Sequence, residues 1–144
     1  MTNSPKRPMG LVAILAVCGI AVSSVSLQHH YATSKTAYCE FGETFNCDIV
    51  NRSEYSTIFG IPVALIGMLG YAALAGLATV YRQRRETPVI LFGGAAAGLA
   101  FALYLTYIEA HVLGVWCILC LSSLTIIAAM TILSAAIWWK SRRQ

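Results

Sequence analysis

Residues 110–139, AHVLGVWCILCLSSLTIIAAMTILSAAIWW, contain no Asp, Glu, Lys or Arg. A helix crossing the roughly 30 Å hydrocarbon layer needs about 20 mostly apolar residues, because its backbone polar groups must pair within the helix. The stretch carries Cys117 and Cys120 near one end and runs into Lys140, Arg142 and Arg143 at the other. It reads as a membrane helix with paired sulfurs at its start and a basic anchor at its end.

Three further stretches, 8–34, 55–81 and 87–108, are equally free of charge. With 58% hydrophobic and 11% charged residues in 144, the chain does not have the composition of a soluble domain. Helices are predicted at about 9–27, 57–80, 88–108 and 115–138, with an outward loop over about 28–56 between the first two. The fold class is an all-α integral membrane protein, a four-transmembrane-helix bundle forming a single domain over 1–144. Lys6 and Arg7 before the first apolar run resemble the start of a signal peptide. The length of that run and the lack of an early small-residue cleavage pattern favour a retained helix.

Net charge is +4, yet the basic residues are sorted by membrane side rather than gathered into a face for nucleic acid. Lys6, Arg7, Arg82, Arg84, Arg85, Lys140, Arg142 and Arg143 flank one side, leaving Lys35 and Arg52 on the other. The positive-inside rule then makes both termini and the 82–86 loop cytoplasmic. Residues 28–56 and the short 109–114 turn face outward, where disulfides persist in most cells.

Four of the five cysteines lie on that outward side: Cys39 and Cys47 in the loop, Cys117 and Cys120 at the start of the fourth helix. The Cys-x-x-Cys spacing puts two sulfurs about one turn apart on one helical face, within reach of a reversible disulfide. The positive end of the helix favours a thiolate at Cys117. Cys120, one turn deeper, meets the apolar layer, where a thiolate needs a compensating neighbour or an electron acceptor. Haem attachment requires His after the second cysteine, where Leu121 stands. Zinc held by four thiolates remains a minor alternative, with an unusually long Cys39–Cys47 spacing. The loop pair by itself reads as a permanent staple or as a second redox pair; two dithiols on one side permit thiol-disulfide exchange. Cys18, deep in the first helix, is expected to be a small buried hydrophobe.

Gly60, Gly67, Gly70 and Gly76 in the second helix, and Gly93 to Gly98 in the third, provide small surfaces for close helix approach. Pro62 is acceptable in the first turns of the second helix, where its missing donor has little to satisfy. Residues 48–55 allow a short helix on the membrane surface.

Several features together resemble the vitamin K epoxide reductase family. They are Cys39 and Cys47 separated by seven residues, Ser53 six positions later, Phe59-Gly60-Ile61-Pro62, the stretch Ala64 to Tyr71, and a late Cys117-x-x-Cys120. The resemblance spans almost the whole chain and is closest to a bacterial-type member without a fused thioredoxin-like domain. It implies that Cys39 meets a separate thioredoxin-like dithiol partner, that Cys47 exchanges with Cys117, and that Cys120 faces a lipid-dissolved quinone. The acceptor would be ubiquinone or menaquinone, with no metal, in a bacterial inner membrane.

The family's loop serine corresponds to Ser53, near the quinone, although serine also suits a helix cap. Ser56, Phe59 and Val63 fall on one predicted face of the second helix and border the quinone or simply pack. Tyr55 caps the quinone or anchors at the lipid interface. Ser56 and Leu124 stand where the animal branch carries Asn and Tyr, and Leu124 cannot bond a carbonyl oxygen. The quinone contacts expected are therefore Ser53, Tyr55, Ser56, Phe59 and Leu124. Thiol-driven quinone reduction in support of disulfide formation ranks first, epoxide reduction second, and a non-catalytic stapled tetraspan protein third. His111 reads as a solvated turn histidine or a proton relay, and His29 and His30 as interfacial residues. Asn51-Arg52-Ser53 is formally a glycosylation sequon beside the membrane.

Overall fold

The computed structural model describes residues 6–31, 40–41, 45–46, 57–81 and 84–143. Four helices dominate: α1 (Lys6–Tyr31), α2 (Val63–Thr79), α3 (Thr87–Ile108) and α4 (Ile118–Arg143). Two small hairpins precede α2, β1 (Glu40–Phe41) with β2 (Phe45–Asn46), and β3 (Thr57–Ile58) with β4 (Ile61–Pro62). The segments Arg7–Gln28, Thr87–Leu113 and Ile118–Arg143 are each long and apolar enough to span a membrane. Apolar α2, at 17 residues, is about 25 Å long. Leu11, Ile14, Val17, Leu103 and Ile132 are exposed, as side chains are where lipid rather than water is the solvent. The chain is an all-α integral membrane protein.

Each helix touches its neighbours in a ring, α1 to α2, α2 to α3, α3 to α4 and α4 back to α1, and the α2–α3 seam is the loosest. Glycines set the closest approaches. A β-carbon on Gly19 of α1 would lie 2.5 Å from the Tyr71 ring of α2, and one on Gly67 would lie 3.2 Å from Ser23 Oγ. These two pairs run in opposite directions, so α1 and α2 are antiparallel. Gly94 lies against Leu74 and Gly98 against Ile127 in the same manner. Gly70, Gly76 and Gly93, by contrast, have open space where a side chain would be.

Packing is uneven along the bundle. Met9, Val12 and Ala16 meet Tyr71, Leu74 and Ala78, Leu91 and Ala95, and Ile127, Met130 and Ile137 in one continuous core. This core occupies the end at which the chain passes from α2 to α3. There Arg84 lies over the Tyr81 ring, Arg142 over Trp138 and Arg143 over Trp139, with centroid distances of 5.8, 5.3 and 5.2 Å. Such cation–π contacts seat the basic anchors at the interface. The Thr87 hydroxyl donates to the Tyr81 carbonyl and closes the turn.

The second helix begins six residues later than the charge pattern predicts. Phe59 and Gly60 adopt φ of 53° and 81°, and Ile58 pairs with Ile61. Two successive positive φ values form the two-residue turn that suits a hairpin. Phe59 accepts a left-handed backbone at a cost on the order of 1 kcal/mol. Pro62, with ψ of 134°, is the N-cap of α2 rather than part of its first turn. The predicted helical face joining Ser56, Phe59 and Val63 is therefore not formed by Phe59 and Val63. Phe59 is fully exposed at the hairpin tip, while Val63 opens the helix.

Candidate active site

At the opposite end of the bundle, α3 does not stop at Ile108 but continues as one π-helical turn, Glu109–Leu113. Gly114 then turns the chain with φ of 69°, a left-handed conformation open to glycine at little cost. Within four residues the chain reaches α4. The Cys117 carbonyl accepts the Leu121 N–H at 3.0 Å, which makes Cys117 the N-cap residue.

Cys117 is fully buried against Leu113, Val115, Leu119 and Cys120. Its thiol nonetheless titrates below its ordinary range. The foremost cause is the hydrogen bond from the Cys120 side chain, which favours a thiolate at Cys117. Burial acts against it, as does the negative charge of Glu109, while the backbone N–H groups of Cys120 and Leu119 help. The helix start supplies those N–H groups, so the expected stabilisation by the helix end is present but secondary to the partner sulfur.

Below this pair lies a cavity of about 500 Å³ with walls from all four helices. Cys120 lines it and Cys117 does not. Ile66 and Leu74 of α2, Phe101 and Leu105 of α3, and Ile127 of α4 make most of its surface apolar. One polar group stands out among them. Tyr71 donates its hydroxyl to the Ser123 carbonyl at 3.0 Å and shares a second hydrogen bond of 2.8 Å with Ser123 Oγ. Ser123 lies three residues after Cys120, one helical turn further along the same wall. The phenol arises from α2 and is held against α4 because Gly19 leaves room for its ring.

Glu109 also lines this cavity, as do Ser23 and Ser26 of α1. Glu109 is 1% exposed, and its Oε2 accepts the Cys117 N–H at 3.1 Å. The π-helical turn shifts residue directions at the end of α3, and such turns recur at functional sites.

Of the residues expected at the site, Cys117 and Cys120 pack against each other. Cys39, Cys47, Ser53, Tyr55 and Ser56 lie outside the described residues. Phe59 and Leu124 are not on the cavity wall; Leu124 is half-buried elsewhere on α4. His111 is exposed, its ring 4.7 Å from that of Tyr107. His29 and His30 belong to α1, and their side chains lie outside the described set. Cys18 is not buried in the core, as expected of it, but exposed on the outer face of α1 near Ile14 and Val17. Helix length alone does not reveal which way a mid-helix residue faces.

Tyr71, Ser123 and Glu109 are functional candidates that sequence reasoning passed over. Tyr71 was visible only as the end of the Ala64 to Tyr71 stretch. Glu109 served only to divide two charge-free runs. Its position eight residues before Cys117 was the available signal, a lone acid between a membrane helix and a redox pair.

Two cysteines at a helix start, above an apolar cavity inside a membrane bundle, are the arrangement of a membrane-embedded thiol oxidoreductase. Cys117 is enclosed at this end of the bundle, and Cys120 faces a space suited to a lipid-soluble molecule. Residues 10–135 match the vitamin K epoxide reductase family, and the chain belongs to that family. The match contains α2 and α3, most of α1 and α4, and Cys39, Cys47, Cys117 and Cys120. Members of the family are thiol oxidoreductases linked to membrane quinones.

Proposed function

We propose that this protein oxidises a thioredoxin-like dithiol protein on the outer side of the membrane and reduces ubiquinone or menaquinone, in support of disulfide bond formation. Electrons enter at Cys39 and Cys47, pass from Cys47 to Cys117, and leave from Cys120. The observation that carries this reading is the division of the Cys117–Cys120 pair, with Cys120 alone on the cavity wall.

In each turnover a thiolate of the partner attacks the Cys39–Cys47 disulfide, and the partner's second thiol resolves the mixed disulfide. Cys47 then attacks the Cys117 sulfur, which releases Cys120 as a thiolate. Cys39 attacks Cys47, frees Cys117 and restores the loop disulfide. Loss of two electrons by Cys117 and Cys120 re-forms their disulfide. The thiolate-favouring surroundings of Cys117 suit it to exchange.

The cavity volume and its apolar walls fit a quinone ring with the first part of an isoprenoid tail. When a quinone is bound, Tyr71 would accept the Ser123 hydroxyl proton and turn its own from the Ser123 carbonyl to a quinone oxygen, a donor that Leu124 cannot supply. Ser53, Tyr55 and Ser56 are proposed to close the site from the loop. Tyr71→Phe is expected to raise the KM for a soluble short-chain ubiquinone about fivefold to tenfold, corresponding to loss of about 1–1.4 kcal/mol of hydrogen bonding. Steady-state quinone absorbance gives that value; an unchanged KM removes Tyr71 from the quinone site.

The decisive assay mixes the purified protein with a reduced thioredoxin-like donor and follows quinone reduction. Turnover that requires Cys117 and Cys120 is the expected result. Turnover that survives loss of both overturns the relay, and a protein with no turnover but a fold weakened by loss of either cysteine is the stapled alternative. An epoxide substituted for the quinone in the same assay separates epoxide reduction, which runs on the same cysteines.

A further inference from the structure

Glu109 has no place in the cysteine relay, yet its setting is unusual. A carboxylate removed from water costs several kcal/mol unless it is paired. Here one oxygen accepts the Cys117 N–H, while Oε1 has no hydrogen-bond partner among the described residues. The Cys120 side chain lies close enough to interact with the carboxyl group. Glu109 thus borders both sulfurs and lines the cavity that Cys120 lines. A structural cap for the Cys117 N–H needs only a neutral acceptor, such as Gln, Ser or a backbone carbonyl. A buried acid with an oxygen left over is a costly way to fill that role.

We propose that Glu109 carries the proton of Cys120. This rests on the reading that electrons leave through Cys120 to a quinone. Oxidation of the Cys117–Cys120 dithiol breaks two S–H bonds, forms one S–S bond, and releases two electrons and two protons. The quinone takes up two electrons and two protons to become the quinol. Cys117, at the bundle end, gives its proton to water or to the loop. Cys120 faces apolar walls, and the carboxylate of Glu109 takes its proton as the sulfur becomes a nucleophile. Glu109 passes that proton to the reduced quinone in the same cavity, and the second proton of the quinol follows from the outer aqueous side. When Cys47 later attacks Cys117, the released Cys120 thiolate draws a proton back through Glu109 from the outer end. His111, the other acid-base group on this turn, is exposed and stacks on Tyr107 away from the cavity.

Glu109→Gln retains the size of the side chain and an oxygen for the Cys117 N–H but cannot carry a proton. With dithiothreitol as donor and short-chain ubiquinone as acceptor, its turnover is expected to fall on the order of 10²-fold. Alkylation of Cys120 by N-ethylmaleimide in the reduced, quinone-free protein, followed by mass spectrometry, is expected to slow at least tenfold, since the carboxylate no longer takes the thiol proton. Wild-type turnover in Glu109→Gln overturns the proposal, and so does lost turnover with unchanged Cys120 alkylation, which is the mark of a purely structural role. If the wild-type protein itself fails to reduce quinone, the quinone reading falls, and the alkylation comparison still decides whether Glu109 serves Cys120. Should Glu109→Gln not fold, infrared difference spectra of the wild-type protein, oxidised minus reduced, carry the test. A carboxylic C=O band that changes with the redox state is expected, and its absence overturns the proposal.

Discussion

Cys120→Ser is expected to lower quinone reduction on the order of 10³-fold or more while leaving the protein able to accept electrons from its donor. The reason is the position of the sulfur. Cys120 is the cysteine on the cavity wall, and a serine hydroxyl in its place neither ionises near neutral pH nor forms a disulfide. Exchange at Cys117 does not need Cys120 as a nucleophile. The Cys117 thiolate can attack Cys47 in the loop disulfide and release Cys39, which forms a Cys47–Cys117 disulfide with no net oxidation and with no Cys120 to reopen it. Mass spectrometry of the non-reduced, alkylated protein should therefore find a Cys47–Cys117 crosslink enriched over the wild type. Quinone turnover by Cys120→Ser close to the wild-type rate would remove Cys120 from the end of the relay.

Cys117→Ser should lower donor-driven quinone reduction to the same degree, but with the opposite distribution of trapped species. Without the sulfur at the helix N-cap, the loop pair has no acceptor, so Cys39 and Cys47 accumulate as thiols when donor is present. Thiol labelling of the oxidised protein distinguishes the two variants: a Cys47–Cys117 crosslink with Cys39 free in Cys120→Ser, an intact Cys39–Cys47 disulfide in Cys117→Ser. Each substitution also replaces a partly or fully buried thiol by a hydroxyl, at a stability cost of about 1–2 kcal/mol. That cost is too small to explain a thousandfold loss of turnover, and thermal unfolding of each variant checks it. A stapling role predicts the reverse, with large losses of stability and no electron transfer to lose. Equal redox states of the loop pair in the two variants would contradict the order of the relay.

The contrast between these variants depends on geometry that was only partly legible in the residues. Charge-free runs marked four membrane helices because a bilayer imposes one length on every span, and that constraint acts on composition directly. The start of α2 was misplaced by the same logic. Residues 57–62 are as apolar as a helix, and only the positive φ at Phe59 and Gly60 shows that the backbone reverses there. Hydrophobicity reports the solvent a segment prefers and not its path within it. Gly60 before Ile61-Pro62 carried a turn signal that the length of the apolar run outweighed.

The wall of the cavity was the least visible feature. Phe59 and Leu124 were expected at the quinone because they lie near the family's motif positions along the chain. The side chains that line the space instead come from separate helices: Tyr71 from α2, Ser123 from α4 and Glu109 from the turn after α3. Tyr71 meets Ser123 only because Gly19, 52 positions before Tyr71, leaves no side chain in the way of its ring. No periodicity within one segment records a contact of that kind.

What the residues determine by themselves is the number of apolar helices, the gathering of basic residues at one end of the bundle, and the presence of a dithiol pair at the start of the last helix. These follow from transfer of side chains between water and lipid and from the helical pitch, both local to a segment. Tertiary structure alone decides that Cys120 and not Cys117 faces the cavity, that a phenol from another helix stands one turn beyond it, and that Glu109 turns inward. Those outcomes depend on how four helices close on one another, tightly where glycines of one helix meet side chains of the next and loosely along the α2–α3 seam.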